Sequence, residues 1–194
     1  MKITKTSLEG ALVLEPKVFS DERGFFCESF NQREFSKQTG LDVAFVQDNQ
    51  SHSIRGVLRG LHYQVRQAQG KLVRVVHGKI FDVVVDLRKN SSTFGTWESF
   101  ELSEENHQQL WIPPGLAHGF LTLSESADVL YKITDYYAPE HERTLAWNDP
   151  ELGIPWPLEQ VSELKLSGKD EAGMSWKEAK KGNEKIFSND SRES

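Results

Sequence analysis

Two short runs in the first half of the chain carry the residue types that acid–base chemistry uses. Arg59-Gly60-Leu61-His62-Tyr63-Gln64 is followed by Gln69-Gly70-Lys71-Leu72-Val73-Arg74-Val75, which sets a guanidinium, an imidazole and an ammonium among strand-forming residues. If the two runs are neighbouring strands, alternation aims Arg59 and His62 with Lys71 into one cavity. An imidazole there can take a proton, and a nearby ammonium can stabilise the negative charge left behind. That pairing suits chemistry on an acidic C–H. Taken singly, Arg59 and Lys71 read as solvated strand charges and His62 as a hydrogen-bonded core residue; only their company points to a site.

The elements that must position these groups read as β structure. Leu12 to Pro16 is a short strand-type run, and Asp21-Glu22-Arg23-Gly24 reads as a turn before Phe25-Phe26-Cys27-Glu28-Ser29-Phe30. Asn31 to Thr39 is the clearest helix, with Asn31 as cap, Glu34 in the capping-box position and Gly40 as terminator. Val43 to Asn49 resumes the strand pattern with Gln47 and Asn49 facing one way, and Ser51-His52-Ser53 and Gly56 break it. Leu72–Val76 and Ile80–Asp86 flank His77-Gly78-Lys79 and predict a hairpin. Shorter runs follow at Trp97–Leu102, Gln109–Ile112, Gly119–Leu123 and Val129–Thr134. Many short strands and few helices predict a sandwich or barrel. Past Pro139 the chain turns irregular, and Trp147 and Trp156 are placed to pin it to the barrel.

The chain of 194 residues fits one domain, expected over residues 1–174, with a polar and mobile tail at 175–194. Its 23 Lys+Arg stand against 29 Asp+Glu, for a net charge of −6, and the basic residues form no stripe, which argues against nucleic acid as a partner. The one cysteine, Cys27, excludes an internal disulfide framework and fits a reducing cytoplasm. No long uncharged apolar run predicts a membrane span, and the N-terminus lacks the apolar core of a signal peptide.

Eight motifs in the same order carry a resemblance to a known family: Asp21–Phe26, Arg59–Gln64, Gln69–Val75, Leu110–Pro113, Ala117–Phe120, Tyr131-Lys132, Trp147–Pro150 and Leu166–Asp170. Together they resemble the dTDP-4-dehydrorhamnose 3,5-epimerase family from about Lys5 to about Gly173. The resemblance implies an all-β, cupin-type jelly roll with a few short helices, and a homodimer with exchanged N-terminal strands. It implies a dTDP-linked 4-keto-6-deoxyhexose as substrate and neither metal nor organic cofactor. The C4 ketone acidifies the C3 and C5 hydrogens, and returning a proton on the opposite face inverts the centre.

By the same resemblance His62 is the base and Asp170 the carboxylate that orients it. Lys71 is the cation at the developing enolate and Tyr131 the acid on the opposite face. Arg59 and Arg23 serve the pyrophosphate, with Arg23 and Glu28 acting in their own subunit's site or the partner's. Gln47, Asn49, Glu28, His118, Glu142 and Lys169 match nucleotide or sugar contacts, and Tyr137 matches the ring that stacks on thymine. Three competing readings remain open: inversion at C3 or C5 alone, a non-catalytic sugar-nucleotide-binding cupin, and a metal-dependent cupin. The last needs several histidines converging, whereas Arg59–Gln64 supplies one.

Overall fold

The computed structural model describes residues 1–182. A hairpin of β1 (Lys2–Lys5) and β2 (Leu12–Glu15) is followed by a second, β3 (Val18–Asp21) and β4 (Gly24–Cys27), and by helix α1 (Gln32–Thr39). Then come β5 (Gln47–Ile54), β6 (Leu58–Gln64), β7 (Lys71–His77), β8 (Lys79–Asp86) and β9 (Trp97–Ser103). Strands β10 (Gln109–Ile112), β11 (Leu116–Thr122), β12 (Ser126–Ile133) and β13 (Glu142–Thr144) precede the short helices α2 (Gly168–Glu171) and α3 (Trp176–Gly182).

Two antiparallel sheets form the sandwich of a cupin-type jelly roll: β1-β2-β10-β7-β12-β5 and β13-β6-β11-β8-β9. The β3–β4 ribbon pairs with neither. Alternation along each strand sorts its side chains between layers. On β8, Ile80 and Val84 join the cluster between the sheets, while Val83 and Val85 join the cluster beneath the C-terminal segment. On β7 and β10, Val73, Val75, Leu110 and Ile112 point inward, while Leu72 and Trp111 turn outward to meet Phe35 of α1. Each such buried side chain is worth about 1.5–3 kcal/mol. The inner filling is apolar at one end of the sandwich; at the other, Gln47, Asn49, Lys71 and His62 replace it and a cavity opens.

Several expectations hold. Asn31 caps α1 by accepting the Glu34 N–H, and Gly40, with φ of 74°, ends it through its N–H to the Ser36 carbonyl. Glu34 does not close a capping box; its carboxylate accepts from Gln38 instead. Trp156 and Trp97 pin the irregular segment, donating their indole N–H groups to the carbonyls of Trp147 at 2.7 Å and Leu152 at 2.8 Å.

Others are corrected. β7 and β8 are not a hairpin: Gly78 is a corner at which the chain crosses between sheets, β7 pairing with β10 and β12, and β8 with β9 and β11. β8 buries both faces, which a lone hairpin cannot supply. Residues 43–46 lie outside any strand, and β5 continues through Ser51, His52 and Ser53, because its whole length pairs with β12 from Gln47↔Ile133 to Ile54↔Ser126. The segment from Ser175, expected as a mobile tail, begins with α3, whose Trp176 is 6% exposed and packs on Phe94. The remainder of that tail lies outside the described residues.

Candidate active site

Contrary to the expectation that alternation alone aims both into one cavity, Arg59 and His62 are three residues apart, so strict alternation would send them to opposite faces of β6. A bulge brings them together: His62 lies opposite His118 and Arg59 opposite Phe120, so three steps on β6 match two on β11. The extra residue falls at Gly60-Leu61, where Gly60 has a φ of 111°. A Cβ on Gly60 would lie 2.6 Å from both the Gly119 Cα and the His118 carbonyl, so the two backbones approach as only glycine permits. β6 and β7 are not neighbours, contrary to the expectation; they face each other from different sheets, and Lys71 meets His62 across the gap.

The bulge also frees the Gly60 N–H, which donates to Asp170 Oδ1 at 3.1 Å. The same oxygen accepts from His62 Nε2 at 2.7 Å, and Asp170 Oδ2 accepts from the Ser167 hydroxyl at 2.6 Å. Ser167 is itself the N-cap of α2, taking the Asp170 N–H. Burial pushes the Asp170 carboxyl up, but the bonds from His62, Ser167 and Gly60 outweigh it and hold the group down to about 2. An ionised carboxylate only accepts, so Nε2 of His62 carries the proton and the other ring nitrogen is left basic.

Lys71, Tyr131, Asn49 and Gln47 line the opposite wall on the six-stranded sheet. Tyr131 pairs with Val73 and Asn49, and Ile133 pairs with Lys71 and Gln47, so these inward side chains are near neighbours. Burial, with some repulsion from Lys169, lowers the Lys71 ammonium to about 8 against the pull of Glu142 and Asp82. Burial raises the Tyr131 phenol, with Arg59 opposing, so its proton stays on at neutral pH.

At the mouth, Arg59 is aimed by its Nε bond to Ser53 Oγ at 3.0 Å. Glu142 accepts from Lys169 at 2.8 Å and from the Tyr137 hydroxyl at 3.0 Å. Burial would raise its carboxyl, but Lys169 and His62 keep it low. The whole encloses about 360 Å³.

The cavity thus gathers His62, Lys71, Tyr131, Gln47, Asn49, Arg59, His118, Tyr137, Glu142 and Lys169, with Asp170 behind His62. Two expected residues lie elsewhere. Arg23 sits at the exposed tip of the β3–β4 ribbon, paired with Asp21, and Glu28 accepts from Asn31 beside the outer face of the six-stranded sheet. Sequence reasoning also missed lining residues Ser51 and Gln69, and Asp82, which is fully buried and accepts from His118 at 2.8 Å. Continuing the alternation Gln47, Asn49 would have reached Ser51, and a lone aspartate inside Ile80–Val85 is itself a signal of a buried charge. Among the described residues, no group of three or more His, Cys, Asp or Glu side chains is arranged to hold a metal ion.

A family model for dTDP-4-dehydrorhamnose 3,5-epimerase matches residues 5–178. A dTDP-4-dehydrorhamnose 3,5-epimerase of Pseudomonas aeruginosa is 58% identical over 179 residues, 92% of this chain and 98% of that protein. The crystal structure of a Legionella pneumophila dTDP-6-deoxy-D-glucose-3,5-epimerase in complex with dTDP-4-keto-L-rhamnose superposes with a TM-score of 0.85 at 51% identity, covering 89% of this chain and 90% of that one. A 3'-monoepimerase from Streptomyces bikiniensis in complex with dTDP-quinovose gives a TM-score of 0.85 at 37% identity, over 92% and 90% of the two chains. Matched over nearly its whole described length, the chain belongs to the dTDP-4-dehydrorhamnose 3,5-epimerase family.

Proposed function

We propose that the protein inverts C3 and C5 of dTDP-4-dehydro-6-deoxy-D-glucose, giving dTDP-4-dehydro-L-rhamnose, by proton abstraction next to the C4 ketone. The observation that carries this reading is the placement of His62, backed by Asp170 of α2, on one sheet and of Lys71 and Tyr131 on the other, across one cavity. The free nitrogen of His62 takes the C–H proton, and the bonding pair moves into the C3–C4 or C4–C5 bond while O4 gains the charge. Lys71 stabilises that oxyanion, and Asp170 stabilises the imidazolium. Tyr131 delivers its proton to the carbon from the opposite face, and solvent returns the phenol and imidazole to their starting states. Arg59 takes the pyrophosphate, Gln47, Asn49, His118, Glu142 and Lys169 contact sugar and nucleotide, and Tyr137, half exposed at the mouth, stacks on thymine.

Proton NMR of the product after incubation with the 4-keto sugar nucleotide tests the assignment. We expect both centres inverted. Inversion at C3 alone would place the chain with the Streptomyces bikiniensis 3'-monoepimerase, inversion at C5 alone would make it a C5 epimerase, and an unchanged sugar without solvent-deuterium uptake would make it a binding protein.

We further propose a homodimer in which the β3–β4 ribbon crosses to the partner and brings Arg23, with Glu28 near its base, to the partner's cavity. In one chain the ribbon leaves Phe19, Phe25 and Phe26 exposed by 52%, 61% and 71%, an apolar surface that a second copy would cover. Light scattering should give twice the mass of one chain; a fully active monomer would overturn the exchange. Both the nucleotide-sugar substrate and the single cysteine, unpaired in the structure, fit the cytoplasm.

A further inference from the structure

The two oxygens of the Asp170 carboxylate are held by different parts of the chain. Oδ1 accepts from β6, taking the His62 Nε2–H at 2.7 Å and the Gly60 N–H at 3.1 Å. The one partner of Oδ2 among the described residues is the Ser167 hydroxyl, at 2.6 Å. As a helix cap that hydroxyl does little. The Asp170 N–H already donates to the Ser167 carbonyl at 2.9 Å, and its contact with Ser167 Oγ is the longer one, at 3.3 Å. Nor is the hydroxyl needed to hold the segment in place. Before α2, the Leu58 N–H donates to the Lys165 carbonyl at 3.0 Å and the Lys165 N–H to the Gly56 carbonyl at 2.8 Å. After α2, the Met174 N–H donates to the Thr144 carbonyl at 2.9 Å and the Ala146 N–H to the Met174 carbonyl at 2.8 Å. Thr144 in turn lies opposite His62 in the sheet. Backbone bonds therefore fix where Asp170 stands relative to His62, and they leave open how its carboxylate is turned. The last torsion of an aspartate is broad and sets no plane by itself.

We infer that Ser167 is a positioning residue for the reaction: by donating to Oδ2 it fixes the plane of the Asp170 carboxylate, so that Oδ1 alone meets the His62 N–H. An O–H bond to an ionised carboxylate at this length is among the stronger kind, and Asp170 is buried, so water does not readily take its place. With Oδ1 held on the ring, His62 keeps one tautomer, its other nitrogen turned to the cavity. The imidazolium formed on proton abstraction then meets a carboxylate that is already oriented. The weight of Ser167 in catalysis rests on the epimerase reading above, but the orientation of the carboxylate does not.

Ser167→Ala should lower kcat by about tenfold while KM and dTDP affinity stay as in the wild type, because Ser167 does not line the cavity. Ser167→Thr keeps a hydroxyl and should restore kcat. In proton NMR spectra the His62 Nε2–H signal should move upfield and exchange faster with water in Ser167→Ala, and return to its wild-type position in Ser167→Thr. Because Ser167 acts through the carboxylate, its replacement by Ala should cost nothing further in an Asp170→Asn background. The same tenfold loss in that background would make Ser167 a support of the fold alone and overturn the inference. An imidazole signal that stays in place or moves downfield in Ser167→Ala would overturn it as well. Should Ser167→Ala not fold, Ser167→Gly, which helix starts tolerate, takes its place in each measurement, and failure of both to fold would assign the hydroxyl to folding and end the proposal. A wild-type protein without epimerase activity would remove the proposed function while leaving the imidazole signal as the test of orientation.

Discussion

His62→Ala loses proton exchange at C3 and C5 by about 10³-fold or more, the scale of a positioned base, while dTDP binds as it does to the wild type. The imidazole stands on the cavity wall with a free ring nitrogen and the Asp170 carboxylate fixed behind it. Its removal does not unravel the site, because Asp170 keeps the Ser167 hydroxyl and the Gly60 N–H. Losing the first of its partners moves the Asp170 carboxyl up from about 2 toward the ordinary range, still ionised at neutral pH. Arg59 is held by Ser53 and Lys169 by Glu142, so the nucleotide grip is untouched. Asp170→Asn makes the useful comparison: an amide can hold the ring but cannot stabilise imidazolium, so exchange falls by less than in His62→Ala. Deuterium uptake from solvent, measured beside calorimetric titration with dTDP, checks both halves. Undiminished uptake would remove His62 as the base.

Tyr131→Phe separates exchange from inversion. The substitution removes one hydroxyl and leaves a ring that still packs against the inner apolar cluster, so folding and nucleotide affinity change little. His62 still forms the enolate from its own sheet and can hand a solvent-derived proton back to the original face. Deuterium should then enter C5 while the rate of inversion drops by about 10²–10⁴-fold. Reading isotope content and product configuration in the same sample distinguishes this from a hydroxyl that merely supports structure, which would slow exchange and inversion in proportion. Wild-type inversion in Tyr131→Phe would assign the acid to water or another residue and refute the two-wall arrangement.

Much of the sandwich was legible because runs such as Leu72–Val76 and Ile80–Val85 admit no other element. Their pairing was not legible: two strands joined by His77-Gly78-Lys79 look alike whether they fold into a hairpin or turn a corner between sheets, and only the full set of partners decides. β5 was cut short in prediction because Gln47 to Ser53 is polar on both faces, and β12, not its own hydrophobicity, keeps it extended. α3 was missed because Trp176 and Ala179 carry nearly all of its burial. The cavity residues were named through family motifs and gathered as expected, except Arg23 and Glu28, which a single chain leaves outside. The bulge that sets Arg59 beside His62 leaves no mark on residue type beyond Gly60, and Asp82 stood in a run read only for its apolar neighbours.

The gap between the two sheets is about 10 Å, the width that facing side chains fill. Toward Val75, Ile80 and Val129 protein fills it; toward Lys71 and His62 it is left for a guest. A sugar ring entering there occupies the layer that leucines and valines occupy elsewhere, shielded from water on two sides by the same strands. Mutations that widen or narrow the sandwich therefore move base and acid relative to each other, and a loosened interior costs turnover before it costs the fold. The substrate is the last residue of the core, delivered from outside and replaced at every cycle.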